Sequence, residues 1–360
     1  MAFSFGFGGD DIDVSSDADT QPSISAPSQA SKAGAFPVAG KPQLPATHHD
    51  LDSLISHLPS KIAYDTLDVT LDDGTTVSLP RRELWDVRVQ LMAEDESEEG
   101  VDADGSGLGS HDVKTGVYEG GFKSWESSVD LVKVLAAQGK QSATEEVPTK
   151  VIELGCGTAL PSLALFQWAL DGPRQNQCTF IAADYNPTVL QLVTLPNFIL
   201  AWALSQREKV PALSEAFSME GELELLPGVT DAFKAHLASS NITLSFLSGA
   251  WSEDFVNLLY GLPGADSNAA TLLLGAETIY SPFALQTYTE TTFNVLLREQ
   301  ARQGVPPAVA LVAAKRMYFG VGGSLDDFVE RARERGGDVT TLREEAGGVR
   351  RGVVKCVLRA

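Results

Sequence analysis

Lys150-Val151-Ile152-Glu153-Leu154-Gly155-Cys156-Gly157 runs through Thr158-Ala159 into the apolar stretch Leu160–Leu170. A short apolar run that ends in G-x-G before a helical apolar segment reads as a buried strand turning tightly into a helix. Glycines at such a turn let the backbone approach a ligand at the carboxyl edge of a sheet. The dinucleotide fingerprint is G-x-G-x-x-G. Here Leu160 takes the third glycine position, so the close helix–strand approach of a pyrophosphate site is not prepared. Glu153, at the strand end, suits a cationic ligand. Taken alone, the motif also fits a plain strand-to-helix turn.

Outward from this turn, strands and helices alternate. Cys178 to Ala183 is a second strand, ending in Asp184-Tyr185-Asn186, and Pro187 to Leu204 is a long helix. An acid at this strand end can accept hydrogen bonds from both hydroxyls of a ribose. Asp and Asn also favour the N-cap before a helix that begins with proline. The two roles are compatible, with Asn186 capping and Asp184 binding. Thr243 to Leu247, Thr271 to Leu274 and Ala308 to Ala314 are further strands, with helices at Phe283 to Arg298 and Leu325 to Arg335. Val339 to Arg343 and Gly352 to Leu358 close the chain as a hairpin. This order predicts an α/β fold, a Rossmann-like, seven-stranded, doubly wound sheet whose last strand can run antiparallel. It occupies 115–360, with an insertion of irregular and short helical pieces near 205–240. Residues 51–93 form an N-terminal appendage, a hairpin turning at Asp72-Asp73-Gly74 and a helix over 82–90.

The chain has 360 residues, 48 acids against 27 Lys and Arg, and a formal charge of -21. Such a balance disfavours nucleic-acid binding and docking on anionic membranes. Residues 1–50 carry six acids and two bases, and residues 94–112 carry eight acids and no base. Both stretches are poor in large apolar residues, so 1–50 and 94–114 are expected to be disordered. No apolar run is expected to approach the roughly 20 residues of a membrane span, and a signal peptide is not expected. Cys156, Cys178 and Cys356 form neither a disulfide framework nor a metal spacing, consistent with a reducing compartment. His48, His49, His57, His111 and His236 sit in no motif, and no metal site is expected.

Glu153, the glycine turn and Asp184 together resemble the S-adenosylmethionine methyltransferases of the seven-strand class. Other segments narrow the likeness: Gly120-Gly121-Phe122-Lys123-Ser124-Trp125-Glu126, Val193-Thr194-Leu195-Pro196-Asn197, and Ser248-Gly249-Ala250-Trp251-Ser252. Gly275-Ala276-Glu277-Thr278-Ile279-Tyr280-Ser281-Pro282, and Lys315 with Tyr318-Phe319-Gly320-Val321-Gly322-Gly323, complete the set. In this order, from about Ile62 onward, they resemble the eukaryotic protein-histidine N-methyltransferase family, which modifies a histidine of a large-subunit ribosomal protein. Where family members often carry a hydroxyl residue, this chain has Ala276.

The resemblance implies S-adenosylmethionine as cofactor and a protein substrate, with no nucleic acid or membrane partner. It implies that Glu153, Gly155 and Gly157 hold the methionyl end and Asp184 the ribose. Tyr185 and Asn186 would flank the adenine, and Gly249, Ala250 and Trp251 would edge its pocket. Trp125 and Glu126 would close over the methionine part, beside Ser124, Ser127 and Ser128, with Ala276 nearby. A histidine nucleophile must present one tautomer, and Glu277, Asn197 or a backbone carbonyl are the candidate acceptors for its other N–H. The resemblance also implies transfer to the tele nitrogen, a cytoplasmic and nuclear location, and a monomer. Two alternatives remain at this point. One is a protein-lysine methyltransferase of the same class, for which Glu277-Thr278-Ile279-Tyr280 supplies an acid-x-x-Tyr motif. The other is a non-catalytic ribosome-assembly or binding module.

Overall fold

Alternate residues of the central strands are apolar on both sides, and this builds two cores on one sheet. The computed structural model describes residues 37–98, 120–139, 148–170, 176–265, 268–318 and 322–359. Its strands are β1 (Thr47–His49), β2 (Lys61–Thr70), β3 (Thr76–Arg82), β4 (Thr149–Leu154), β5 (Cys178–Asp184) and β6 (Glu222–Glu224). They continue as β7 (Ile242–Ser248), β8 (Ala270–Ala276), β9 (Val309–Lys315), β10 (Gly337–Glu345) and β11 (Arg351–Leu358). The main sheet has the order β1-β7-β5-β4-β8-β9-β11-β10. Strands β7, β5, β4, β8 and β9 are parallel, and β11 is antiparallel to both β9 and β10. These seven strands are the doubly wound sheet expected from the sequence. Successive strands step one way from β4 to β5 and β7, and the other way to β8 and β9. The crevice over the carboxyl ends of β4 and β8 is therefore the switch point at which such sheets bind ligands.

Val151, Phe180 and Ala182 point to one face, and Ile152, Leu154, Ile181 and Ala183 to the other. On the first face Phe166, Phe180, Phe198 and Phe246 pack edge to face, with centroids 5.1 to 6.4 Å apart. Phe198 belongs to the helix Pro187–Gln206, interrupted by a π turn at Leu190–Thr194. Contrary to the sequence expectation, this helix is long and apolar enough to cross a membrane. It is 89% buried inside the fold, the position of a core helix.

The appendage and the insertion are not separate pieces. β6 pairs with β2 and makes a three-stranded sheet in the order β3-β2-β6. Ile62, Val69, Val77 and Leu79 enter the same apolar cluster as Leu163 and Phe166. Within the insertion, Pro227–Ser239 is a single helix burying Val229, Phe233 and Leu237, and Phe233 lies 5.4 Å from Trp202. The irregular and short helical pieces expected there are present as turns and a 3-10 helix at Pro211–Leu213, but the second half of the insertion is one continuous helix. The helix Glu253–Gly261 was not anticipated at all.

The expected N-terminal tail needs a larger correction. Residues 1–36 and 99–119 lie outside the described residues. Within the supposed tail, however, β1 adds to the edge of β7 with Thr47 opposite Ser248 and His49 opposite Phe246. Residues 94–98 end the helix Leu84–Glu98 instead of opening a loop.

Candidate active site

The turn after β4 is shaped by what crowds it. Gly155 and Gly157 have φ of +67° and +51°, in the left-handed region. A Cβ on Gly155 would lie 2.3 Å from Thr278 Cγ2, so the loop after β8 closes on the turn only because residue 155 has no side chain. Thr194 Oγ1, from the π turn, donates to the Gly157 carbonyl at 2.7 Å.

Two carboxylates support this turn. Asp184 Oδ2 accepts from the Gly157 N–H at 3.0 Å, and Oδ1 accepts from the Asn186 N–H at 3.1 Å. Each oxygen keeps a lone pair for a further donor. Glu153 Oε2 accepts from the Ser162 N–H at 3.0 Å and also from the Ser162 hydroxyl. The sequence assigned Glu153 wholly to a cationic ligand. Instead, one of its oxygens is spent on the first turn of the following helix, where a carboxylate also meets the positive end of the helix dipole.

Burial pushes Asp184 up to about 6, against its backbone hydrogen bonds. Burial, aided by the charge of Asp184, pushes Glu153 up to about 7. Both folded values lie above those of an unfolded chain, about 3.9 for Asp and 4.3 for Glu. Their contribution to folding is therefore fully present below about pH 4 and is lost as pH rises through 6 to 7. Glu153→Gln removes one such contribution while keeping an acceptor for Ser162. The ligand-free variant should melt about 2–6 °C above wild type at pH 8, with the gap closing at pH 5. Thermal melts at the two pH values check this, and a gap independent of pH would contradict it.

A cavity of about 310 Å³ opens over these groups. Gly155, Gly157, Glu153, Asp184, Tyr185, Trp125, Ser128, Ala250, Trp251, Ala276 and Glu277 line it, as the sequence proposed. Other proposed residues do different work. Asn186 caps the next helix, its Oδ1 accepting from the Thr188 N–H at 2.9 Å. Ser124 shares a 3.0 Å hydrogen bond with Thr158. Gly249 lies under the N-terminal segment, where a Cβ would fall 2.1 Å from the Pro45 carbonyl oxygen. Glu126 is exposed and faces Arg351 at 3.4 Å, so it does not close over the cavity.

Asn197 is corrected most clearly. Its Oδ1 accepts from the Arg82 N–H at 2.7 Å, and its Nδ2 donates to the Thr158 carbonyl at 3.0 Å. Fully buried and doubly paired, it ties the hairpin to the glycine turn and is not an acceptor for a substrate.

Glu277 keeps its candidacy. It is a non-glycine residue at φ +59°, held there by its N–H to the Ala313 carbonyl at 2.9 Å. Strain of this kind, imposed by surrounding structure, collects at functional sites. Oε1 accepts from Ser127 Oγ and Oε2 from the Tyr318 hydroxyl, each at 2.5 Å. Burial, then the neighbouring carboxylate, raises the Tyr318 hydroxyl above its ordinary range and keeps it a donor. Ser127 therefore orients Glu277. Lys315 Nζ sits 5.2 Å from the Trp125 ring and 5.5 Å from the Tyr318 ring. Lys315 and Tyr318 line the cavity beside residues the sequence did not single out for it, Lys123, Thr287, Pro37 and Gln43. Lys315 and Tyr318 already stood in a quoted motif, whereas nothing in the local pattern marked Pro37 or Gln43.

The wall fits S-adenosylmethionine. The glycine turn leaves room for close approach, and Asp184 offers acceptors for a diol. Gln43 Oε1, Trp251 Nε1 and Thr278 Oγ1, all in wall residues, are buried without a hydrogen-bond partner. A ligand with several polar groups would satisfy them.

Comparison with known proteins agrees. No family model matches the chain. It is 34% identical over 307 residues to histidine protein methyltransferase 1 of Schizosaccharomyces pombe, covering 84% of this chain and 83% of that protein. With the Saccharomyces cerevisiae protein of the same name it shares 35% identity over 268 residues, covering 69% and 67%. A homologue from Rattus norvegicus is 31% identical over 225 residues, and the chain spans 52% of its length. With the fold, the glycine turn and Asp184 all in place, likeness of this extent shows that the chain belongs to the histidine protein methyltransferase family, whose members use S-adenosylmethionine.

Proposed function

We propose that the chain methylates a histidine of a large-subunit ribosomal protein at the tele nitrogen, and that Glu277 selects the reacting tautomer. The observation that carries this is the Glu277 carboxylate, held between Ser127 and Tyr318 in the cavity wall. The cofactor, when bound, supplies an electrophilic methyl group on a sulfonium. Glu153 and the glycine turn would meet its methionyl end, Asp184 its ribose, and Tyr185 and Ala250 its base. Imidazole, with a pKa near 6.5, is largely neutral at cellular pH and needs no strong base before attack. Glu277 would accept the N–H of the non-reacting nitrogen, turning the other nitrogen's lone pair toward the methyl group. As positive charge grows on the ring, the carboxylate stabilises it and can take up the proton afterwards.

Lys315 favours histidine over lysine as the acceptor. An ammonium among the cavity aromatics repels an incoming lysine ammonium or an imidazolium, but not a neutral imidazole. The acid-x-x-Tyr spacing of the lysine reading finds no support in the hydrogen bonds of Glu277, which go to Tyr318 and Ser127. The acidic stretches at 1–50 and 94–112 suit a basic ribosomal protein captured before assembly, by electrostatic steering. A substrate made in the cytoplasm and assembled in the nucleus would bring the enzyme to both.

Glu277→Gln should lower turnover about 100-fold or more while leaving cofactor affinity within about threefold. Steady-state kinetics and calorimetry separate the two effects; a matching loss of affinity would make Glu277 a cofactor residue instead. The substrate assignment is tested with labelled S-adenosylmethionine and extract from cells lacking the enzyme, followed by mass spectrometry. Label on a ribosomal-protein histidine supports it, and label on lysine, or none, overturns it.

A further inference from the structure

The segment 37–49 carries a feature that the reading so far leaves unused. It crosses the outer wall of the cavity and is fastened at several points. The Leu44 N–H donates to the Tyr185 hydroxyl at 3.0 Å, and the Leu44 carbonyl accepts from the Ala250 N–H at 2.9 Å. Gly249 lies flush beneath Pro45, and β1 continues the segment along β7. His49 Nε2 shares a 2.7 Å hydrogen bond with Ser248 Oγ. The segment is thus joined to the loops after β5 and β7 that should edge the base.

Gln43, next to Leu44, faces the cavity. Its Nε2 donates to the Val38 carbonyl at 2.7 Å and to the Lys41 carbonyl at 2.9 Å. Two carbonyl acceptors account for both amide hydrogens, so the other amide atom must be the oxygen. That oxygen, Oε1, is buried and has no partner. A buried acceptor left unmade is costly, so it calls for a donor from a ligand. On an adenine joined to ribose, the exocyclic amino group is the only N–H donor.

Resting on the cofactor reading above, we infer that Gln43 accepts the adenine amino group, which makes segment 37–46 the part of the protein that reads the base. Asp184 and the glycine turn recognise features shared by many nucleosides. Gln43 distinguishes an aminopurine from a purine without the amino group. The acceptor comes from a chain segment far in sequence from the Rossmann-like core, and its orientation is set before the ligand arrives.

The test is calorimetric binding by the full chain, with S-adenosylhomocysteine and with its counterpart lacking the purine amino group. Wild type should prefer the adenine compound about 10- to 100-fold. Gln43→Met should bind the adenine compound no better than the deamino compound, and should bind the deamino compound within about threefold of wild type. An equal loss for both ligands would reduce Gln43 to packing and overturn the inference. So would a wild-type protein without preference, which needs no variant to establish. Wild type that binds neither compound would bring down the cofactor reading itself, an outcome distinct from the other two.

Discussion

Asp184→Ala should abolish measurable S-adenosylmethionine binding, with a loss in Kd of at least about 10³. Hydrogen bonds to a charged acceptor contribute about 1.5–3 kcal/mol each, and a ribose diol makes two. That amounts to roughly 3–6 kcal/mol, or 10² to 10⁴ in affinity. The truncation does further harm by releasing the Gly157 and Asn186 N–H groups, which Asp184 holds at 3.0 and 3.1 Å. The ligand-free fold should survive, because burial already disfavours the charged carboxylate and pushes it up to about 6. Calorimetry on a variant with wild-type melting behaviour checks the claim; unchanged affinity would remove Asp184 from the ribose site. In wild type, affinity should rise with pH through about 6, as Asp184 ionises and becomes the acceptor the diol needs.

The second large effect lies at the other end of β4. Lys150 and Glu299 form a fully buried ion pair with Nζ and Oε1 2.6 Å apart. Lys150 Nζ also donates to the Ala265 carbonyl at 2.7 Å, and the Tyr260 hydroxyl donates to Glu299 Oε1 at 2.7 Å. Removing Lys150 takes from the buried Glu299 its nearest cation and leaves it only the longer contact of Oε2 with Arg302 Nη1, at 3.4 Å. Lys150→Met should therefore cost about 3–5 kcal/mol, roughly 10 °C in melting temperature. Lys150→Met combined with Glu299→Leu should recover most of this, since a buried pair differs little from well-packed apolar residues. Cofactor affinity at low temperature should not move, because the pair lies about 17 Å along the strand from Gly155. Melting curves of the single and double variants decide it: a single variant melting within about 1 °C of wild type would contradict the argument.

Much of the catalytic half of the site is legible in the sequence because local pattern and local chemistry coincide there. The glycine turn, Asp184, and Asn186 as the cap of the next helix each depend on residues within a few positions of one another. The failures share a cause. Asn197 stood in a motif and was a reasonable acceptor, but both its amide groups are taken by Arg82 and Thr158, distant in the chain. Glu126 faces Arg351, 225 positions away. Residues 37–49 read as part of a disordered tail because the stretch 1–50 is acidic and poor in large apolar residues. They are ordered by hydrogen bonds to Tyr185, Ala250 and β7, none of which leaves a mark in their own composition.

By itself, the stretch from Lys150 to Leu170 determined the parallel strand, the turn and the helix, because burial on both faces and a turn crowded against a neighbouring loop restrict which residues can stand there. With Leu160 at the third glycine position it also argued against a dinucleotide, whereas the adenosyl ligand came from the resemblance of the wider set of motifs and not from this stretch. Tertiary structure alone decided which polar side chains are free to act. Glu277 is aimed by Ser127 and Tyr318, Lys315 is brought among the cavity aromatics, and Gln43 is carried to the wall with an unmet acceptor. The physical reason is that a buried polar group acts through its partners, and those partners arrive only when distant segments of the chain pack together.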